Sequence, residues 1–224
     1  MAALDLEEQE QLSSIKAWWS AWGNLITWGV IAVAASLIAV QAWNWYNRDQ
    51  AIKASIVFDA LQEAAQTGDL KKTREAAGEL TSHYGASKYA SMGALISAKL
   101  HADGGDTKTA RAELEWVRAN APDDLMRDLA RLRLAYVLLE EQSFDDAEKM
   151  LDGKVDPTLE ARFLEARGDV SLMRDKRDEA RTAYQAALAK IDDTAKADGA
   201  AAGAASQAYR NVIEIKLDAV GGKQ

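Results

Sequence analysis

The chain carries two imidazoles, His83 and His101, and no thiol. Metal or nucleophilic catalysis needs such groups in recognisable company: two histidines one helical turn apart beside a glutamate, or a nucleophile within reach of a base. Neither histidine has that company. Each falls at or near the end of a predicted helix, where the helix dipole favours an imidazolium. The closest approach to a phosphate loop is the turn Asp103-Gly104-Gly105-Asp106, which sets carboxylates where a phosphate would sit. Asp123-Asp124 and Asp145-Asp146 stand at predicted helix starts and read as N-caps and dipole partners, not as metal ligands. The expectation is a protein that is not an enzyme and uses no cofactor and no metal.

Composition points the same way. The formal net charge is −8, which repels phosphate backbones and argues against nucleic acid as a partner. Without cysteine there are no disulfides and no thiolate sites. Alanine, leucine, glutamate, lysine and arginine dominate, so the chain favours helix.

The elements follow from where the charges are. Between Lys16 and Arg48 there is no charged side chain, and the apolar centre from Leu25 to Trp43 is long enough to cross about 30 Å of hydrocarbon at about 1.5 Å per residue. Trp18, Trp19 and Trp22 stand at one end and Trp43, Trp45 and Tyr46 at the other, where the two membrane interfaces with lipid would lie. A cleaved signal peptide is the rival reading, with Ala32-Val33-Ala34 as a cleavage site. Against it, Asp5, Glu7, Glu8 and Glu10 precede the run where a signal peptide has a basic region. Charge gives no orientation: Lys16 and the terminal amine stand on one side, Arg48 and Lys53 on the other. No glycine or proline occurs from Val30 to Thr67, so the spanning helix is expected to continue into the first soluble helix, holding the domain close to the membrane.

Beyond Arg48 a small residue followed four positions later by a large one recurs: Ala76 and Leu80, Ala110 and Leu114, Ala147 and Leu151, Ala180 and Tyr184. The spacings of 34, 37 and 33 approximate the 34-residue tetratricopeptide period. Pro122 and Pro157 fall between successive units, where a helix must end. Tyr209, Ile213, Leu217 and Val220 predict a final capping helix. The fold class is all-α: an N-terminal single transmembrane helix, then a tetratricopeptide-like α-solenoid with a C-terminal capping helix. The divisions are a short tail at 1–23, the span at 24–47, repeats at 48–193, and an Ala/Gly-rich loop with the cap at 194–224.

Such arrays bind proteins on the concave face lined by the first helix of each unit. The register places Met92, Leu95 and Lys99 there, then Leu129, Leu132, Tyr136 and Leu139, then Arg162, Glu165 and Asp169 with Leu172. The second of these helices carries one stripe at Leu125, Leu129, Leu132, Tyr136 and Leu139 and another at Leu134 and Leu138, so it is apolar on two sides and its second side needs a cover. That cover is either one of the chain's own terminal helices or a partner segment.

The acidic tail, the tryptophan-rimmed span, the four loose repeat units and the capping helix together resemble the ancillary SecYEG translocon subunit family of Gram-negative bacteria, over nearly the whole chain. The resemblance implies a single-pass protein of the bacterial inner membrane, N-terminus in the cytoplasm, C-terminal repeat domain facing the periplasm. It further implies association with SecYEG and with a membrane-bound periplasmic chaperone, and help in transferring newly translocated, unfolded polypeptides. A scaffold for cell-envelope or division complexes is the alternative that the repeats also allow.

Overall fold

A computed structural model describes residues 6–198 and 204–221. Asp5, the side chains of Glu7, Glu8 and Glu10, and the centre of the Ala/Gly-rich stretch at 199–203 lie outside the described residues. The described residues form nine α-helices and no strand. The chain divides into two compact units, one ending at Gln50 and one starting at Ala51.

Helix α1, Leu6–Gln66, runs through the whole predicted span and past it at both ends. It holds one stretch long and apolar enough to cross a membrane, with mean hydropathy 2.0 and no part of that window buried in the protein. In an apolar surrounding every polar group needs a local partner. Ser20, Thr27 and Ser36 find theirs within the helix, each hydroxyl donating at 2.8 Å to the carbonyl of Ala17, Gly23 or Ala32. The segment 47–53 lies inside the helix, as the lack of breakers leads one to expect.

The second unit begins with the remainder of α1 from Ala51. It continues through α2 (Leu70–His83), α3 (Lys88–Asp103), α4 (Thr107–Asn120), α5 (Asp124–Glu140), α6 (Phe144–Leu151), α7 (Glu160–Met173), α8 (Arg177–Asp198) and α9 (Ala204–Ala219), with a short 3-10 turn at Pro157–Leu159. Asp69, Asp106 and Asp123 cap α2, α4 and α5, accepting from the amides of Lys72, Thr109 and Met126. Asp124, Asp145 and Asp146 sit in first turns, beside the positive end of the dipole.

The turns within the four helix pairs repeat at 37, 37 and 33 residues: the backbone N–H of Thr73, Ala110, Ala147 and Ala180 donates to the carbonyl four positions back, at Asp69, Asp106, Ser143 and Lys176. The first spacing differs from the expected 34. Thr73, fully buried, takes the place expected for Ala76, which is half-buried. A threonine fits because its hydroxyl donates to the Asp69 carbonyl at 2.9 Å, leaving a methyl for the packed side.

The residue just before each of these turn carbonyls is left-handed: Gly68 at φ 70°, Gly105 at 79°, Gln142 at 58° and Asp175 at 59°. A side chain there costs about 1–2 kcal/mol in backbone energy. Gln142→Gly is therefore expected to stabilise the domain by about 0.5–1 kcal/mol, the gain being partly offset by the looser unfolded chain. A urea titration that moved to a lower midpoint would contradict it.

Three cores run in sequence. Phe58, Leu61, Ala77 and Leu80 form the first; Leu114, Leu134, Leu138, Leu151 and Phe163 belong to the second; Tyr184, Ile191, Ile213 and Val220 join α8 and α9 in the third. Ile213 and Val220 are buried, with Tyr209 and Leu217 packed against the same cluster, so α9 caps the array with the predicted side inward. Helices α7 and α8 pack closely at Gly168, where a Cβ would lie 2.4 Å from the Tyr184 ring. This is the small-against-large fit that lets paired helices approach.

Candidate protein-binding face

The first helices α3, α5 and α7 bring the predicted residues into one layer but treat them unequally. Leu95 and Leu132 are 6% and 5% exposed and belong to the central core, so they hold helices together instead of facing outward. Leu129, Tyr136 and Leu139 are half-buried against that core, each keeping one side open. Met92, at 38%, and Lys99 are exposed. Between α3 and α5 lies a cavity of about 270 Å³ lined by Ala98, Lys99, Ala102, Arg133, Tyr136 and Glu140 among others, so Lys99 and Tyr136 share a wall.

At α7 the face is taken by the chain itself. Lys216 of α9 donates to Glu165 Oε1 and to Asp169 Oδ2, both at 2.7 Å. Tyr209 of α9 donates to Glu165 Oε2 at 2.9 Å, and Arg162 lies 4.7 Å over the Tyr209 ring. Asp169 also accepts from Tyr136 at 3.1 Å and Tyr184 at 2.8 Å. Burial, reinforced by these carboxylates, pushes the phenols of Tyr136, Tyr184 and Tyr209 well above their ordinary range, so they act as fixed donors. The Lys216 ammonium is also raised: burial opposes its charge, and the hydrogen bonds to Asp169 and Glu165 outweigh that. Of the two covers open for this groove, the chain's own last helix occupies the α7 end, and Arg162, Glu165 and Asp169 serve that intramolecular contact.

Sequence reasoning did not identify Lys216 as their partner, since a lone lysine on a capping helix carries no spacing signal. It also passed over Met173, 58% exposed at the end of α7, and the outer stripe of Val212 and Ile215 on α9. The second stripe was readable, because it lies three positions apart on a helix already identified by its other apolar side.

The residues predicted for the membrane interfaces fall on α1. Trp18, Trp19, Trp22, Trp43, Trp45 and Tyr46 all expose half or more of their surface. Trp19 lies against its own backbone at Gly23, where a Cβ would come within 2.9 Å of the indole. Among the described residues no group of histidines, aspartates and glutamates is arranged to hold a metal ion. His101 is buried at the end of α3, and His83 ends α2, stacked edge-on beside Tyr84.

Comparison with known proteins agrees with this layout. A family model described as a tetratricopeptide repeat-like domain matches residues 16–222. The ancillary SecYEG translocon subunit of Neisseria gonorrhoeae is 26% identical over 97% of this chain and 99% of its own length. The subunits of the same name from Escherichia coli, 26% identical over 81% of this chain and 87% of its own, and from Haemophilus influenzae, 22% over 83% and 90%, are also similar. Matched across nearly all its length, span and helix pairs alike, the chain belongs to the tetratricopeptide repeat-like family, among relatives that are ancillary SecYEG translocon subunits.

Proposed function

We propose that this protein is a single-pass adaptor of the bacterial inner membrane, associated with the SecYEG translocon, whose C-terminal domain faces the periplasm. There it binds emerging unfolded polypeptides and a membrane-bound chaperone and passes the former towards the latter. The observation that carries this reading is the near full-length match to a translocon subunit, joined to a helix long and apolar enough to cross a membrane. A non-enzymatic role fits a tetratricopeptide repeat-like domain, because stacked helix pairs build extended binding surfaces.

The part of the binding face left for a client is the α3–α5 end: Met92, Lys99, Leu129, Tyr136 and Leu139. Burying three or four such side chains supplies about 1.5–3 kcal/mol each before ordering costs, which suits weak, exchangeable contacts. Photocrosslinking from position 92 or 129 in whole cells should capture SecYEG components and secreted chains. Leu129→Asp should reduce that capture several-fold while leaving helix content unchanged. Leu132 is unsuitable for this test because it is core. Capture of wall-synthesis or division proteins instead would favour the scaffold reading.

Topology has its own test, made simple because the chain has no cysteine. Glu79→Cys should react with an impermeant maleimide on intact spheroplasts, and Leu12→Cys only after lysis. The reverse pattern would place the repeat domain in the cytoplasm.

A further inference from the structure

The junction of α2, α3 and α4 holds two ionisable side chains, each with a buried atom that has no partner. Ser97 of α3 donates to Glu113 Oε1 of α4 at 2.7 Å. Glu113 Oε2 is buried and has no hydrogen-bond partner among the described residues. One turn further along α3, His101 is 2% exposed, and its Nε2 likewise has none. The cation that faces them from α2, Arg74, is engaged elsewhere. It donates to Asp106 and, at 2.8 Å, to Thr109 Oγ1, and it lies 3.4 Å from His101 Nδ1. Asp106 in turn approaches His101 Nδ1 at 3.3 Å while capping α4. Lys108 of α4 completes the charged groups around the space.

A carboxylate wants several donors, and this one has a single hydroxyl. An uncharged acid needs fewer, and its burial costs far less. The geometry is therefore built for a neutral Glu113 and a neutral His101. A cavity of about 630 Å³ between α2 and α4, with Glu113, Arg74, Lys108 and Trp116 in its wall, gives solvent protons a path to the carboxyl.

We propose that this junction is a proton-operated clamp on the first two helix pairs, closed while Glu113 carries its proton and loosened when the carboxyl ionises. Burial is the larger influence and pushes Glu113 up to about 7, with the Ser97 hydrogen bond working against it. Burial, then the charge of Arg74, hold His101 below its ordinary value, with Asp106 opposing. The signs follow. A carboxyl raised on folding gives stability that is present at low pH and lost as pH rises through about 7. A histidine lowered on folding gives stability that is present at neutral pH and lost as pH falls below its folded value. The Glu113 contribution therefore weakens as pH rises through about 7, and a domain that faces the exterior would grip less firmly as its surroundings turn alkaline.

The test uses the full-length protein in detergent micelles with carboxyl-labelled glutamate. The resonance that disappears in Glu113→Gln should titrate with a midpoint near 7, against 4.5 for an ordinary glutamate. Ser97→Ala should move that midpoint higher, which a purely structural role for the serine would not do. Between pH 6 and 8 the melting temperature of the wild type should fall more steeply than that of Glu113→Gln. A midpoint near 4.5, or equal slopes for the two proteins, would overturn the proposal.

Discussion

Substituting alanine for Gly168 is expected to destabilise the repeat domain by about 2 kcal/mol, an unusual outcome for a change that ordinarily favours helix. Alanine in place of a mid-helix glycine gains about 1 kcal/mol. Here the added methyl would lie 2.4 Å from one Tyr184 ring carbon and 2.6 Å from a second. The ring has nowhere to go: it is fully buried, and its hydroxyl is held by Asp169 at 2.8 Å. Overpacking of this kind costs about 1–3 kcal/mol and occasionally more, so the clash wins over the propensity. Gly78 is the internal control. It also lies within a helix, but nothing stands within 4 Å of its missing Cβ, so Gly78→Ala should stabilise by about 0.5–1 kcal/mol. Urea melts followed by circular dichroism separate the two. If both variants gain stability, the helices α7 and α8 do not approach as closely as described, and adding Tyr184→Leu to Gly168→Ala should then bring no recovery.

The second large effect is at Lys216. Replacing it by methionine leaves Glu165 and Asp169 facing one another with their counter-charge removed, although both are largely shielded from water. Removing one partner of a buried ion pair costs about 3–5 kcal/mol, and the partial exposure of Lys216 places this case near the lower end. The loss should be concentrated in α9, read as faster hydrogen exchange and earlier proteolysis there than in α3–α5. Adding Glu165→Gln to Lys216→Met should recover part of the loss at pH 7.5, and a double variant no more stable than the single one would contradict this account.

These residues also show what a sequence discloses and where it falls silent. The uncharged interval from Lys16 to Arg48 marks the span because one lysine in its middle would cost too much to bury in lipid. Gly168, Ala180 and Tyr184 mark the fourth pair because close helix approach demands both a gap and a filler. The capping helix is visible through Ile213 and Val220 for the same reason that any amphipathic helix is. Periodicity, however, says which side of a helix looks in a given direction and not what stands opposite. Leu132 and Leu129 belong to the same predicted stripe, but neighbouring first helices close over Leu132 and leave Leu129 half open. Thr73 was missed because a hydroxyl reads as polar until the carbonyl that accepts its proton is known. The tie from Lys216 to Asp169 joins residues 47 positions apart, which local pattern cannot supply.

Asp169 accepts hydrogen bonds from Tyr136 on α5, Tyr184 on α8 and Lys216 on α9 while standing on α7. One carboxylate thus serves as the terminus at which the solenoid stops. An engineered copy with one more helix pair spliced in before α9 would tolerate the insertion only if its new first helix brought a basic residue to the position Lys216 now holds. Length in this architecture is set by a charge that must be matched as well as by the apolar side that α9 turns inward.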